Sequence, residues 1–498
     1  MPTALPIPPA PPGSSAPSAS AAAALGWLRD NEHASIARLL DWLKIPSIST
    51  DPKHAGDVRR SAEWCAAQLR ETGIADARLI DTGTAGAPGH PIVFAHHEGD
   101  SSYRGPHVLF YGHYDVQPVD PLNLWDSPPF EPVIKPADAK TGARERVVAR
   151  GAVDDKGQVA TFLEALRAVR HATGKVAGGV KFTILIEGEE ESGSTNLDTF
   201  VAKHKSELKA CDVCLISDTG MLGPTQPAIT YGVRGLAYTQ ITLHGPDQDL
   251  HSGMWGGRVL NPNAALARLL AQLHDDTGRV TIPGFYDKVI PISADERAAW
   301  AKLAFSQTDA LKKIGLPPTA DWGEKGFAPL EREWARPTAE INGMWGGYTG
   351  PGAKTVIPSH ASAKVSFRLV ADQDPAEITR MFFAWVQGKL PPGFRAECTD
   401  LHGGLGVTLP TDSAYLQAAK RALQAAAGVE PALIKTGGSI PVAGLLKREL
   451  GISTIFMGFG LDDDRVHSPN EKFDLECFCL GCRAHVHFMS EIGAVPKP

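Results

Sequence analysis

The segment His107-Val-Leu-Phe-Tyr-Gly-His-Tyr-Asp115 decides the fold class of this chain. It opens with a short apolar run and passes through Gly112 into the polar residues His113 and Asp115. A run of this length that ends at a glycine is typical of a buried strand. Residues that follow such a strand lie at the carboxyl edge of the sheet, where open α/β sheets bind their ligands. We therefore expect a buried strand that ends in chemically active side chains.

Two further segments repeat this pattern. Val180–Ile186 is a second apolar strand followed by acidic residues, and Val213–Ile216 is a third that leads to Asp218. Lys156–Ala172 has the apolar spacing of a helix, as does a first helix at Leu25–Leu43. Strands that alternate with helices predict an α/β fold with a mostly parallel sheet.

The pattern changes in the middle of the chain. Ala237–Leu243 and Ala363–Leu369 alternate between apolar and polar residues, as half-exposed strands do. Pro375–Leu390 is a predicted helix with a proline in its first turn. These elements predict a smaller α+β domain inserted into the first. The predicted boundaries are a disordered Pro-, Ala- and Ser-rich tail at 1–24, a first α/β part at 25–230, the inserted domain at 231–406 and a second α/β part at 407–498.

Composition excludes several classes of function. The chain has 498 residues, a formal net charge of -7 and a pI of about 6.2, so it has no electrostatic attraction to nucleic acids or anionic lipids. It has no apolar run of about 18 residues, and no membrane partner is expected. Its seven cysteines are an odd number in a long chain, which favours a reducing compartment and therefore a cytoplasmic location.

Charged residues cluster where the strands end. Asp154 and Asp155 are adjacent, four carboxylates fall within residues 187–191, and His467 follows an acidic run. Each of these alone has an ordinary explanation, such as a helix N-cap or a solvated loop. Together, two histidines and several carboxylates at strand ends match the ligands that zinc accepts, and a neighbouring unligated glutamate can act as a general base.

Eight short motifs carry a resemblance to a known family. In this order they closely resemble the carnosinase, aminoacylase and carboxypeptidase G family of co-catalytic zinc hydrolases, and most closely its cytosolic nonspecific dipeptidase branch. The resemblance runs from about Ser35 to the C-terminal end. The motifs are His113-Tyr-Asp-Val-Gln-Pro118, Arg150-Gly-Ala-Val-Asp-Asp-Lys-Gly157, Glu190-Glu-Ser-Gly-Ser194, Asp249-Leu-His-Ser-Gly253, Lys354-Thr-Val-Ile-Pro358, Arg368-Leu-Val370, Gly437-Gly-Ser-Ile-Pro441 and His467-Ser-Pro-Asn-Glu471.

The resemblance implies a centre with two zinc ions, or manganese in their place. Glu190 is implied to be the general base, and Asp115 to orient His113. The implied metal ligands are His113, Asp154, Glu191, Asp218 and His467, with Asp154 bridging the two ions. The peptide bond after Asp154 is implied to be cis.

The resemblance also assigns the inserted domain. It implies that residues 25–230 and 407–498 form the catalytic domain, and that 231–406 form a ferredoxin-like lid that also pairs two subunits. His251 is implied to reach the active site of the partner subunit. Within the lid, we expect the strands at 237–243 and 363–369 to offer the pairing edge. The residues implied to hold the substrate's backbone and carboxylate are Thr355, Arg368 and Ser439, with Arg234 as a weaker candidate.

The function implied is that of a homodimeric metallodipeptidase. It would hydrolyse dipeptides with a free C-terminal carboxylate, using a hydroxide bridged by two zinc ions and Glu190 as the base. An N-acyl amino acid deacylase or a small carboxypeptidase with the same metal centre is the alternative within this class. A catalytically silent binding protein is disfavoured because Glu190 and every ligand are present. A hydrolase that uses Ser439 or Cys65 as nucleophile is disfavoured because the chain lacks a nucleophile-elbow pattern.

Overall fold

The computed structural model describes residues 18–497, and its chain forms two compact units. Unit 1 comprises residues 18–231, 409–434 and 446–497, and unit 2 comprises residues 232–408 and 435–445. The lid had been predicted at 231–406. The segment 435–445, which the sequence analysis placed in the α/β part, belongs to unit 2.

The strands are short in unit 1, and the longest, of ten residues each, lie in unit 2. In chain order they are β1 (Arg78–Ile80), β2 (Gly83–Thr84), β3 (Ala87–Pro88), β4 (Ile92–His97), β5 (Val108–His113), β6 (Val133–Lys135), β7 (Arg146–Val148), β8 (Phe182–Glu187), β9 (Val213–Ile216), β10 (Ala228–Val233), β11 (Gly235–His244), β12 (Leu250–His251), β13 (Thr338–Gly346), β14 (Val356–Ile357), β15 (His360–Leu369), β16 (Arg395–Gly404), β17 (Val407–Thr408), β18 (Ala432–Thr436), β19 (Ser453–Phe456) and β20 (Lys472–Asp474).

The helices range from a single turn to nineteen residues in the last of them. In chain order they are α1 (Ala19–Asp30), α2 (Glu32–Leu43), α3 (Ala55–Glu71), α4 (Lys156–Thr173), α5 (Leu197–Lys203), α6 (Lys205–Leu208), α7 (Ser252–Trp255), α8 (Pro262–Leu270), α9 (Ala294–Trp300), α10 (Gln307–Lys313), α11 (Pro329–Trp334), α12 (Pro375–Gln387), α13 (Ala414–Ala427), α14 (Pro441–Leu450) and α15 (Leu475–Gly493).

Unit 1 is built on a mixed sheet with a parallel centre. The strand order is β1-β4-β8-β5-β9-β19-β10, and residues 228–231 of β10 belong to this unit. The four central strands β8, β5, β9 and β19 run parallel, whereas β1, β4 and β10 pair antiparallel at the two sides. The predicted α/β class is confirmed. Because the central strands are parallel, the carboxyl ends of β5, β8 and β9 meet at one edge of the sheet.

Helix α4 lies at the centre of the unit 1 core, and most of its residues are buried, including the polar Lys156, Gln158 and Glu164. The Phe162 ring on α4 stacks on the Phe110 ring of β5, with ring centroids 3.7 Å apart. The C-terminal helix α15 packs against α4 and α13. Cys477 and Cys482 are buried on α15, and all seven cysteines of the chain are free thiols. Among residues 18–497, no helix is both long and apolar enough to cross a membrane.

The N-terminal region departs from the prediction. The single helix expected at 25–43 is two helices, α1 and α2, that meet at Asn31, where the backbone leaves the helical conformation. Helix α1 begins at Ala19, and the Ser18 hydroxyl caps it by accepting the Ala21 N–H at 3.2 Å. The alanine run has the highest helix propensity and buries Ala24, so residues 19–24 are not part of a tail. Residues 1–17 of the predicted tail lie outside the described part of the chain.

Unit 2 contains a four-stranded antiparallel sheet in the order β13-β15-β11-β16. The four strands of this sheet and the two helices that pack on it occur in the chain order β11-α8-β13-β15-α12-β16, which is the βαββαβ order of a ferredoxin-like fold. Shorter elements, including α9, α10 and α11, lie between them. Helices α8 and α12 pack on one face of the sheet over a core that includes Ile241, Val365 and Phe382. The pairing edge predicted at 237–243 and 363–369 is wrong, since β11 and β15 are the two central strands. The edges of this sheet are β13 and β16.

Candidate metal centre

Three neighbouring parallel strands deliver the candidate residues to one edge of the unit 1 sheet. β5 ends at His113, which is in register with Glu187 at the end of β8. β8 leads into a single 3-10 turn at Glu190–Ser192, and Asp218 follows two residues after the end of β9. The turn that starts α4 adds Asp154, and the loop before β20 adds His467. Residues distant in the sequence are therefore neighbours in space.

The five residues implied as metal ligands form two groups that share Asp154. His113, Asp154 and Asp218 form one group, and Asp154, Glu191 and His467 form the other; within each, one potential ligand atom per residue lies within 4.8 Å of the others. Asp154 Oδ1 is 3.1 Å from Nε2 of His113, and Asp154 Oδ2 is 3.0 Å from Nε2 of His467. One carboxylate thus offers one oxygen to each group, which is what a bridge between two ions requires.

The chemistry of these atoms fits divalent transition-metal ions. His113 Nε2 is buried and makes no hydrogen bond of good geometry within residues 18–497, although Asp154 Oδ1 lies 3.1 Å away and Asp218 Oδ2 lies 3.7 Å away. In the other group, Nε2 of His467 is 3.3 Å from Glu191 Oε2. Imidazole nitrogens and carboxylate oxygens are ligands of zinc, and carboxylates also suit manganese. The residues present therefore fit two ions, each of which would be held by one histidine, one carboxylate of its own group and the shared Asp154.

Electrostatics at the centre favour a bound cation. Contact with Asp154 and Glu191 raises the pKa of His467 to about 10, and burial raises the pKa of Glu191 to about 7. Burial also raises the pKa of Glu190 well above its usual value. Without a cation, these shifts favour a proton on Glu191 and on His467. A bound divalent ion would take the place of these protons, because metal binding requires the deprotonated ligands.

Asp115 was predicted to orient His113, and the structure gives it two contacts. Its Oδ1 is 3.4 Å from His113 Nδ1, but the nearer partner of that nitrogen is the Asp115 main-chain carbonyl oxygen at 3.1 Å. Asp115 Oδ2 accepts the main-chain N–H of Glu191 at 3.0 Å. Asp115 is fully buried, and it contacts one residue of each ligand group, His113 and Glu191. The Asp154–Asp155 peptide bond is cis, as the resemblance implied.

Three residues with roles at the centre were not identified from the sequence. The side chain of Gln117 donates to Glu191 Oε2 at 2.5 Å. Fully buried Lys156 donates to the main-chain oxygens of Ile45 and Trp42, and so caps the C-terminal end of α2. Glu471 binds the loop that carries Asp154. All three belong to the motifs quoted above, but the motifs alone do not reveal what these side chains touch.

The remaining candidates lie in unit 2 and form two pairs. Arg368 is half-buried and donates from Nη1 to Ser439 Oγ at 2.8 Å. The exposed residue His251 lies on β12 and pairs with Val356 of β14, and the exposed Thr355 immediately precedes β14. The Ser252 N–H donates to the Thr355 carbonyl at 3.1 Å. Arg234 donates from Nε to the Gly437 carbonyl at 3.0 Å, which supports the segment that bears Ser439.

We expect the wild-type chain to bind two divalent ions after loading with zinc. Asp218→Asn and Glu191→Gln should each leave about one ion, since each removes a ligand from one group only, whereas Asp154→Asn should weaken both sites. Metal content after dialysis measures this directly. Asp198→Asn, which alters an exposed carboxylate on α5, is the control and should retain both ions. Unchanged metal content in all three ligand variants would contradict the assignment.

Comparison with known proteins agrees with this geometry. The model of peptidase family M20/M25/M40 matches residues 109–491. The Cys-Gly metallodipeptidase DUG1 of Candida albicans is 33% identical over 462 residues, which cover 90% of this chain and 92% of the relative. The Beta-Ala-His dipeptidase of Homo sapiens is 30% identical over 475 residues, which cover 92% and 90% of the two chains.

A solved structure shows the same similarity in three dimensions. The di-peptidase Dug1p from Saccharomyces cerevisiae superposes with a TM-score of 0.79 at 30% identity, over 97% of this chain and 100% of that chain. The resemblance inferred from the eight motifs is therefore confirmed. The chain belongs to peptidase family M20/M25/M40.

Proposed function

We propose that this protein is a two-metal dipeptidase that hydrolyses dipeptides with a free C-terminal carboxylate. The observation that carries the proposal is the Asp154 carboxylate, whose two oxygens face His113 and His467 at 3.1 and 3.0 Å. The names of the relatives, a Cys-Gly metallodipeptidase and a Beta-Ala-His dipeptidase, support a dipeptide as substrate. We propose zinc as the native metal, with manganese as a substitute, because both accept this set of nitrogen and oxygen ligands.

The metal centre and Glu190 divide the chemistry between them. Two ions held by the five ligands would supply an activated water and positive charge at the carbonyl oxygen of the substrate. Glu190 belongs to neither ligand group, yet it adjoins Glu191 on the same 3-10 turn. No hydrogen bond or ion pair from any described residue occupies its carboxylate. Glu190 is thus available to take a proton from the attacking water and to deliver it to the departing amine.

We assign substrate recognition to residues of unit 2. Arg368 presents a planar guanidinium, which pairs with a carboxylate through two parallel hydrogen bonds. Its contact with Ser439 directs Nη1, and among the described residues no other side chain or carbonyl hydrogen-bonds the guanidinium, so its remaining nitrogens can bind a ligand. We assign Thr355 to the backbone of the substrate. We assign His251 to the carbonyl oxygen, whose developing charge an imidazole donor stabilises.

We further propose a homodimer that forms through unit 2. Edge strand β13 exposes the apolar side chains of Ile341, Met344 and Trp345, each more than 40% accessible. An edge strand with exposed apolar residues is suited to pairing with another chain. In such a dimer His251 would act in the active site of the partner subunit. A cytoplasmic location is supported by the seven free thiols, which a reducing compartment preserves.

The role of Glu190 predicts a specific kinetic defect. Glu190→Gln should lower kcat for a dipeptide by a factor of about 10² to 10⁴, because it removes the proton acceptor and spares the ligands. Metal content measured on the same sample should stay at the wild-type level. Glu63→Gln, an exposed glutamate on α3, is the control for kcat. A metal-loaded Glu190→Gln variant with near-normal kcat would assign the base to another residue.

The role of Arg368 predicts a dependence on the substrate's C-terminus. Arg368→Ala should lower kcat/KM for free dipeptides by about 100-fold or more, since a charge-assisted bidentate contact is lost. The same dipeptides as C-terminal amides should lose only a few-fold. Arg395→Ala, which alters an exposed arginine on edge strand β16, should change neither value. Equal losses on acids and amides would remove Arg368 from the carboxylate site.

The proposed dimer predicts complementation between two inactive variants. Co-expressed His251→Ala and Glu190→Gln chains should recover about a quarter of wild-type activity, because half the dimers are mixed and each mixed dimer has one intact site. Two differently tagged chains allow the mixed dimer to be purified and assayed. Each variant expressed alone is the control. Verified mixed dimers without recovered activity would show that His251 does not act in the partner subunit.

A further inference from the structure

We propose that Glu471 is a positioning residue that orients Asp154 as the bridge between the two metal sites. This inference rests on the ligand roles in the proposed function. Glu471 lies four residues after His467 and is completely buried. It is in neither group of potential metal ligands. Its position brings a second carboxylate behind the loop that carries Asp154.

The Glu471 carboxylate accepts four hydrogen bonds from one short loop. Its Oε1 accepts the main-chain N–H groups of Val153 at 3.0 Å and Asp154 at 3.1 Å. Its Oε2 accepts the N–H of Gly151 at 2.9 Å and Nη1 of Arg150 at 2.8 Å. Both oxygens are therefore saturated with donors, and three main-chain amides of the loop are held by one rigid group.

The charge of Glu471 is balanced within the same loop. Arg150 is 1% exposed, pairs with Glu471, and donates from Nη2 to the Pro118 carbonyl at 2.9 Å. A buried carboxylate without such a partner would be costly, and so would the arginine alone. The pair thus persists as a unit, and it links the Asp154 loop to the segment after Asp115.

The main chain around Glu471 strengthens this link. Its carbonyl oxygen accepts the Ala149 N–H at 3.1 Å, and the next residue, Lys472, pairs with Val148 in the β20–β7 ladder. Gly151 has a φ of 81°, a conformation that favours glycine and lets the loop turn its amides towards Glu471. The segment that carries His467 and the loop that carries Asp154 are consequently held together. Their mutual position decides whether one carboxylate can face both histidines.

A second buried acid allows this role to be separated from stability. Glu164 in α4 is also almost inaccessible, and it accepts two bonds from Arg38 and one from Ser35. It thus has a similar burial and an arginine partner, but it joins α4 to α2 and binds no amide of a ligand-bearing loop. Glu164→Gln should destabilise the protein without changing its metal sites.

The experiment compares Glu471→Gln with Glu164→Gln in the full chain. The glutamine amide has the size of the carboxylate, but its NH2 group cannot accept the N–H donors that face it. We expect Glu471→Gln to weaken zinc binding by about 10- to 100-fold, with loss of the second ion, as changes to supporting residues of metal sites do. Glu164→Gln should keep both ions at wild-type affinity. Metal content and competitive chelator titration give the affinities, and thermal melting gives the stability of each variant.

The outcomes separate this inference from the proposed function. Wild-type protein that binds no divalent ion would overturn both. Two ions at unchanged affinity in Glu471→Gln, with wild-type binding intact, would overturn only the role of Glu471. An equal loss of affinity in Glu164→Gln would also overturn it, because the effect would then be one of general stability. If Glu471→Gln does not fold, Glu471→Asp retains the acceptor oxygens on a shorter side chain and should weaken binding about tenfold; unchanged affinity there would refute the proposal.

Discussion

The crowding of carboxylates at the ends of three parallel strands is the constraint on which the rest of this structure depends. Four carboxylates lie close enough to influence one another's charge, those of Asp154, Glu190, Glu191 and Asp218. Burial limits the screening of their mutual repulsion by water. Two histidines partly compensate this charge, and bound divalent cations would compensate the remainder. The parallel centre of the sheet is what makes the crowding unavoidable, because it directs β5, β8 and β9 to the same edge.

A set of buried acids without a ligand role holds this arrangement in place. Asp155 Oδ2 accepts the main-chain N–H of His113, Asp115 Oδ2 accepts that of Glu191, and Glu471 Oε1 accepts that of Asp154. Three candidate ligands are thus each anchored by their own backbone amide to a different buried carboxylate. Such outer contacts fix the direction of the ligands before a metal arrives, which is why they matter as much as the ligands themselves. They also explain why the motifs contain more acidic residues than a two-metal site consumes.

The sequence predicted best those features that depend on residues close together in the chain. β9 was predicted at its observed bounds, and α4 to within one residue, because an apolar run and helical spacing are local properties. The helix break at Asn31 and the start of α1 at Ala19 were missed, since a Pro-, Ala- and Ser-rich composition describes a disordered tail as well as a helix. The edge strand β13 was missed because it lies in a Gly- and Trp-rich stretch without regular alternation. Its strand conformation depends on pairing with β15, which follows it in the chain.

The sequence by itself determined the α/β class and the inserted α+β domain, because periodicity is a local property, and its short motifs implied the candidate ligands through the resemblance to a known family. Only the tertiary structure decided that Asp154 turns one oxygen to each histidine, that β11 and β15 are central strands, and that residues 435–445 join unit 2. It also decided the contacts of Glu471, whose arginine partner lies 321 residues away in the chain. The physical reason is that the effect of a buried carboxylate depends on the hydrogen-bond donors around it. The donors to Glu471 come from a loop distant in the chain, and no local sequence pattern specifies that this loop lies beside it.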